Sequence, residues 1–309
     1  MLEAIFLGPF KDMLGAPGFL VEVLIGGLAA GLMYSLVALG FVLIFKASGV
    51  FNFAQGVMVL FAALTLVGLM ERGVPVVLGL LLTMVVMIAL AFAIERVVLR
   101  PLVNQEYIIL FMATIGLSFF LEGFGELLWG SNVKKLDVGI PDTSFMVRGV
   151  QVNKLEITAA LTAAVLVTIL AVFFQKTRIG RALRAVADDH EAALSIGIPL
   201  KTIWVVVWSV AGLVALVAGI MWGAKSGVQF SLSLIALKAL PVLILGGFTS
   251  VPGAIVGGVI IGVGEKLGEV YWGPLVGGAI ENWFAYVLAL VFLLFRPQGL
   301  FGERIIERV

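Results

Sequence analysis

The feature that most constrains this chain is a series of nine apolar runs with little sequence between them. They cover Phe19 to Phe45, Phe51 to Met70, Val74 to Ile94, Tyr107 to Leu128, Leu155 to Phe174, Ile203 to Trp222, Ile235 to Phe248, Gly253 to Tyr271 and Ile280 to Phe295. A helix needs about 20 apolar residues to cross the ~30 Å hydrocarbon core, whereas a barrel strand needs about ten residues of alternating polarity. These runs are continuous, so the predicted fold is all-α, a polytopic transmembrane helical bundle of about eight or nine helices. The count turns on Ile235 to Phe248, which is short and Gly-rich and reads as a broken or re-entrant segment. Such a segment is tolerated in lipid only where protein or water satisfies its backbone. Composition agrees, with 61% hydrophobic and 13% charged residues, against about half and a quarter in soluble domains.

Net charge is +1 and cysteine is absent. There is no basic field to attract nucleic acid, and disulfides and thiolate metal sites are excluded. No cofactor and no metal site is expected. The opening Met1 to Asp12 carries Glu3, Lys11 and Asp12 around a short apolar stretch. It reads as an interfacial lead-in rather than a cleaved signal peptide.

Lys and Arg in short loops orient a bundle. The cluster Lys176, Arg178, Arg181, Arg184 and Lys201, with Arg296, Arg304 and Arg308 near the end, places the C-terminus in the cytoplasm and the N-terminus outside. Lys134, Lys135, Arg148 and Lys154 in the external loop weaken that bias. The chain reads as a single transmembrane domain over 1–309, with an external loop at 129–154 and a cytoplasmic loop at 175–201.

Small residues stand four apart at Gly27 and Gly31, Gly253 and Gly257, and Gly258 and Gly262. This spacing lets helix backbones approach closely, either within the bundle or against another subunit. Polar side chains inside spans face a pathway or another helix, because hydrocarbon penalises them. The candidates are Asn52 and Gln55 opening the second run, Glu265 with Glu269 late in the eighth, and Thr114, Ser118 and Glu122, which form one stripe on the fourth. That stripe either lines a passage or consists of hydroxyls bonded back to their own helix, with Glu122 near an interface. Lys46 and Lys238 are expected to snorkel towards headgroups.

The loop Gln175 to Lys201 reads QKTRIGRALRAVADDHEAALSIGIPLK. Arg178 to Ala187 can form one short helix. Asp188 followed three residues later by Glu191 has capping-box form for a second, and Gly197 then Pro199 supply its stop. Helices this short need a partner to hold them. Ala192 and Ala193 would let a partner close on the backbone; an ordinary amphipathic loop lying on its own bundle is the other reading.

Glu191-Ala192-Ala193, then Gly197, resembles the EAA-type loop by which ABC importer permeases seat into their ATPase subunits. Further segments are similar to the branched-chain amino-acid permease family: Gly31-Leu-Met-Tyr-Ser-Leu-Val-Ala-Leu-Gly40, Phe51-Asn-Phe-Ala-Gln-Gly56, Arg100-Pro-Leu102, Leu245-Gly-Gly-Phe-Thr-Ser-Val-Pro-Gly-Ala254 and Phe295-Arg-Pro-Gln-Gly-Leu-Phe301. The resemblance covers most of the chain. It implies a cytoplasmic coupling helix carrying Asp188, Glu191, Ala192, Ala193 and Gly197, and a bacterial inner-membrane location. It also implies a second homologous permease, two ATP-binding subunits and an external solute-binding protein. Two departures stand out: the Ile-x-Leu-Pro tail of the fuller EAA pattern is absent, and Gln55 stands where family members often have His.

Enzyme readings lack residues. Gly223-Ala-Lys-Ser226 is the nearest approach to a phosphate-binding loop and lacks the glycine before its lysine. Ser118 has no base, because His190, the only histidine, lies in the 175–201 loop. The aspartates all fall outside the runs, so a paired-carboxylate site cannot form. The alternatives are an ion-coupled secondary transporter using Glu122, Glu265 or Glu269, an ABC permease for urea or short amides, and a non-transporting scaffold.

Overall fold

The structure, a computed structural model, describes residues 7–102, 105–147, 149–188, 193 and 195–302. Each of the nine apolar runs contains a helix. After a short lead-in, α1 (Gly8–Gly15), the chain forms α2 (Pro17–Ser48), α3 (Gln55–Glu71), α4 (Val76–Ile94) and α5 (Tyr107–Trp129). A hairpin, β1 (Ser144–Val147) and β2 (Val150–Asn153), precedes α6 (Lys154–Lys176) and α7 (Arg178–Asp188). Then come α8 (Leu200–Ser226), α9 (Ile235–Gly246), α10 (Val251–Leu267) and α11 (Phe284–Phe295). Six of these segments are long and apolar enough to cross a membrane, among them α4 extended to Leu102 and α10 extended to Val276. The shorter apolar helices are α3, α9 with its leading turn, and α11.

Helix α9 has 12 residues, about 18 Å at 1.5 Å per residue, well short of the ~30 Å core. Pro241 lies inside it, removing one hydrogen bond of its ladder. A 3₁₀ turn, Phe230–Leu234, leads into it.

The chain divides into two compact units built from interleaved segments. The first comprises Met1–Ser35, Gly139–Ala164 and Lys238–Val309; the second comprises Leu36–Val138 and Val165–Leu237. Within the second, α3 is buried on every side from Gln55 through Gly68. Its sequence is apolar all round, as a helix surrounded by other helices requires. Helix α4 behaves differently: only Gly79, Thr83, Met87, Ala91 and Ile94 are buried, a single stripe at near-fourfold spacing. Val77, Leu81, Val85 and Phe92 on its other faces are exposed, as lipid contact demands. Helix α8 packs on both, with Gly219 against the α3 backbone at Val59 and Gly212 against Met87.

Helix α4 runs on through a π turn, Glu95–Leu99, into the 3₁₀ turn Arg100–Leu102. Glu95 is fully buried, and Arg100 meets it with a fork of two bonds, Nε to Oε1 at 3.3 Å and a terminal nitrogen to Oε2 at 3.2 Å. A planar guanidinium suits this two-point contact with a carboxylate.

In the first unit the hairpin is antiparallel, with Phe145 opposite Val152 and Met146 opposite Gln151. The sequence reading placed turns in this loop but no strands, since four-residue strands are too brief to show a period. Asn153 then caps α6, its Oδ1 accepting from the N–H groups of Leu155 and Glu156 at 2.8 and 3.2 Å.

Candidate functional site

Two arrangements stand out from ordinary helix packing. One is the interruption between α2 and α3. Helix α2 ends at Ser48, Gly49 takes φ +68°, and α3 begins only at Gln55. The intervening backbone is not helical, and its N–H and C=O groups need partners, since hydrocarbon offers none. Thr114 on α5 supplies one: its hydroxyl accepts from the Phe53 N–H at 3.0 Å, while its own proton is shared between Phe111 O of α5 at 2.8 Å and the Phe51 carbonyl at 3.3 Å. Asn52, fully buried, accepts from the Ala54 N–H at 3.1 Å. Its amide nitrogen reaches Gln55 Oε1 at 3.4 Å and Met58 Sδ at 3.6 Å.

Gln55 is also fully buried, and its Nε2 has no hydrogen-bond partner. That amide occupies the space a side chain at position 40 would fill, because a Cβ on Gly40 would run into Gln55 Nε2. Phe41 and Phe51 stack beside it with ring centroids 4.7 Å apart. Of the expected stripe on α5, Thr114 and Ser118 are buried and Glu122 is half-buried. Only Thr114 bonds the interruption; Ser118 donates to its own helix, at Ile115 O, 2.8 Å. The polar cluster therefore holds Asn52, Gln55 and Thr114 together and leaves Ser118 and Glu122 out of it.

The second arrangement is the 175–201 loop. Helix α7 runs from Arg178 through Asp188, with Leu183 and Val186 buried. It turns back on α6: Arg184 donates to the Phe174 carbonyl at 2.5 Å. Asp188 is thus the last residue of one helix, while Glu191 and Ala192 lie outside the described residues. Ala193 is buried. Gly197 sits at φ +85°, and the Ile198 N–H closes back on the Ala193 carbonyl at 3.0 Å. That six-to-one bond with a left-handed glycine is the Schellman form of helix ending. A Cβ at Gly197 would meet open space.

The paired glycines lie in the first unit. A Cβ on Gly31 would strike the Gly258 carbonyl, one on Gly262 would strike Gly31, and one on Gly27 would lie 2.8 Å from Val263 Cα. Helices α2 and α10 thus touch backbone to backbone. Ser35 fastens the crossing, its hydroxyl 2.9 Å from Gly31 O and 3.0 Å from Ala254 O. Gly253 and Gly257 serve another seam, against Gly246 and Val242 of α9.

Two segments far apart in sequence prove to be one structure. In 245–254, Gly247 takes φ +101° and Ser250 caps α10 by accepting from the Gly253 N–H at 3.0 Å. The tail beyond α11 bonds to it, Leu300 N–H to Leu245 O at 2.8 Å and Phe301 N–H to Gly246 O at 3.1 Å. Pairing these segments by sequence alone was out of reach. Glu265, a candidate from the sequence, is 5% exposed; its side chain bonds Tyr34 and its Oε1 has no partner. Lys238 holds its Nζ 6.0 Å from the Tyr34 ring.

The family model described as "Branched-chain amino acid transport system / permease component" matches residues 23–296. This chain belongs to that family. The permease is 29% identical over 304 residues to the high-affinity branched-chain amino acid transport system permease protein BraD of Pseudomonas aeruginosa, covering 94% of this chain and 98% of that one. It is 28% identical over 310 residues, with the same coverage, to the corresponding protein LivH of Escherichia coli. Among solved structures it resembles PsaBC from Streptococcus pneumoniae in complex with Fab, with a TM-score of 0.52, 14% identity, and coverage of 96% and 98%. At that identity the likeness speaks for the fold alone.

Proposed function

We propose that this permease is the membrane-spanning subunit of an ABC importer that carries Leu, Ile or Val across the bacterial inner membrane. ATP is hydrolysed on separate subunits, so this chain is not itself an enzyme. A second homologous permease, two ATP-binding subunits and an external solute-binding protein complete the assembly. The names of the relatives support the cargo, and the basic 175–201 segment supports a cytoplasmic knob and C-terminus. The observation that carries the reading is the Schellman-closed turn at Ala193–Ile198. Its glycine has open space where a side chain would project, which suits a motif gripped by a motor subunit.

On this reading Asp188, Glu191, Ala192, Ala193 and Gly197 couple ATP-driven closure to rocking of the bundle. Asn52, Gln55 and Thr114 line the substrate passage, with Ser118 and Glu122 continuing the same helix face. A mostly apolar passage with few polar groups is sufficient where the binding protein selects the cargo. To test the coupling, Gly197→Trp and Glu191→Trp are compared with Gly197→Asn, since Asn tolerates the left-handed conformation. Both Trp variants are expected to lose ATPase co-purification and leucine uptake in reconstituted vesicles, and Asn to keep them; unchanged values for the Trp variants would count against the knob.

Glu265 favours one second reading, ion-coupled transport, because a buried carboxylate with one oxygen left unbonded, beside Tyr34 and Lys238, is the kind of group such coupling uses. Uptake that survives removal of the ATPase subunits but collapses with the membrane potential would establish it.

A further inference from the structure

The first unit contains a cavity of about 370 Å³ that the passage described above does not use. It is bounded by the opening turns of α2, the hairpin, the first turn of α6 and the far end of α10. Its size falls in the range of small-ligand sites. Glu22 and Glu156 bring carboxylates to the wall, and Lys266 brings an ammonium. Both Glu156 Oε2 and Lys266 Cε lie 3.8 Å from where a Cβ on Gly26 would stand, so the glutamate carboxylate and the outer part of the lysine side chain flank one glycine. Phe19, Val23, Val152 and Val270 supply the apolar wall.

The polar edge is built rather than loose. Glu22 Oε2 accepts from the Gln151 N–H at 3.3 Å, tying α2 to the hairpin. Asn153 caps α6 and donates to Asp142 Oδ1 at 2.6 Å, holding the hairpin's end in place. Carboxylate oxygens accept from an ammonium group, and a lysine donates to a carboxylate. A wall carrying both signs beside aliphatic side chains matches one class of solute: a free α-amino acid with an aliphatic side chain. A fatty acid would use only the lysine, and an alkylamine only the glutamates.

We infer that this cavity is a receiving site for a zwitterionic aliphatic amino acid, occupied between its release by the binding protein and its entry to the passage. The inference deepens the transport reading and rests on it, because that reading places the hairpin end of the unit outside.

The test uses the whole complex, with its partner permease and ATPase subunits, in lipid nanodiscs without the binding protein, and measures equilibrium binding of radiolabelled L-leucine. Isoleucine and valine are expected to compete, while 4-methylpentanoate and isoamylamine compete at least about tenfold more weakly. Lys266→Met, which removes one charge, and Gly26→Leu, which fills the space, are each expected to raise the leucine Kd about tenfold or more. Gly123→Leu on α5, where a Cβ meets open space, serves as the control. Equal leucine Kd in all variants, or no leucine binding by a complex that takes up leucine, overturns the site and leaves the transport reading standing. An unchanged Kd with loss only of uptake delivered by the binding protein makes this a docking surface and also overturns it. If the full wild-type assembly takes up no leucine, the transport reading itself fails.

Discussion

The glycine seam between α2 and α10 and the polar interruption between α2 and α3 meet the same solvent in opposite ways. In the seam both helices keep every backbone bond internal, and removing side chains lets them touch; Gly31 lies against Gly258 with no space for a Cβ. In the interruption the helix is given up, and side chains return what the backbone lost, Thr114 and Asn52 serving the N–H groups of Phe53 and Ala54. The seam depends first on shape, which fails when a side chain grows at its glycines, with the Ser35 hydroxyl as its polar fastening. The interruption is held by hydrogen bonds, which are indifferent to small changes of volume as long as the oxygen stays. Substitutions can separate these two kinds of tolerance.

The largest effect is expected at the seam. Gly258→Leu drives a side chain into Gly31 O and Ser35 and should cost about 3 kcal/mol, read as early unfolding in a denaturant titration in detergent. Gly116→Leu, where a Cβ meets open space, should unfold with wild type; if both behave alike, close approach is not what holds α2 to α10. Next is Gly40→Ala, which brings the rule of the seam into the polar region. Its Cβ collides with the Gln55 amide, so about 2 kcal/mol is expected, most of it recovered in Gly40→Ala with Gln55→Ala. Additive costs in that cycle would show that the two residues do not share the space.

Thr114→Val keeps the volume and removes the acceptor for the Phe53 N–H. A buried unpaired donor costs about 1.5 kcal/mol, and Thr114→Ser should restore stability. Equal loss in Val and Ser would assign the role to shape instead. The smallest change is expected from Gln55→Leu, below about 1 kcal/mol, because Nε2 already lacks a partner and the bond from Asn52 is long. Near-neutral stability together with altered leucine uptake kinetics would mark Gln55 as kept for the passage rather than for folding.

Much of this was legible in the residues. The nine runs each hold a helix, and the brevity of Ile235 to Phe248 anticipated a helix of 12 residues with an internal proline. Gly197 read as a stop because glycine tolerates positive φ, and there it closes a turn. Less could be read of the polar residues. Thr114 and Ser118 share a face at fourfold spacing and each lies 2.8 Å from a carbonyl of its own helix, yet only Thr114 also accepts from a distant N–H, that of Phe53; periodicity gives a direction and no partner. No local signal around Lys238 announces Tyr34 beside it. Glu95 passed unremarked because its counterion, Arg100, looked like one more loop charge until a π turn aligned the two.

What the sequence determined by itself is the set of helices, and the reason is the solvent: hydrocarbon cannot bond a peptide group, so apolar runs of this length must satisfy their own backbones. What only the tertiary structure decided is which helix touches which. In lipid an apolar surface gains little from burial against another apolar surface, so association depends on fit, on glycines that meet across a crossing and hydroxyls that reach a broken turn. Fit is a property of two surfaces at once, and neither surface carries it alone.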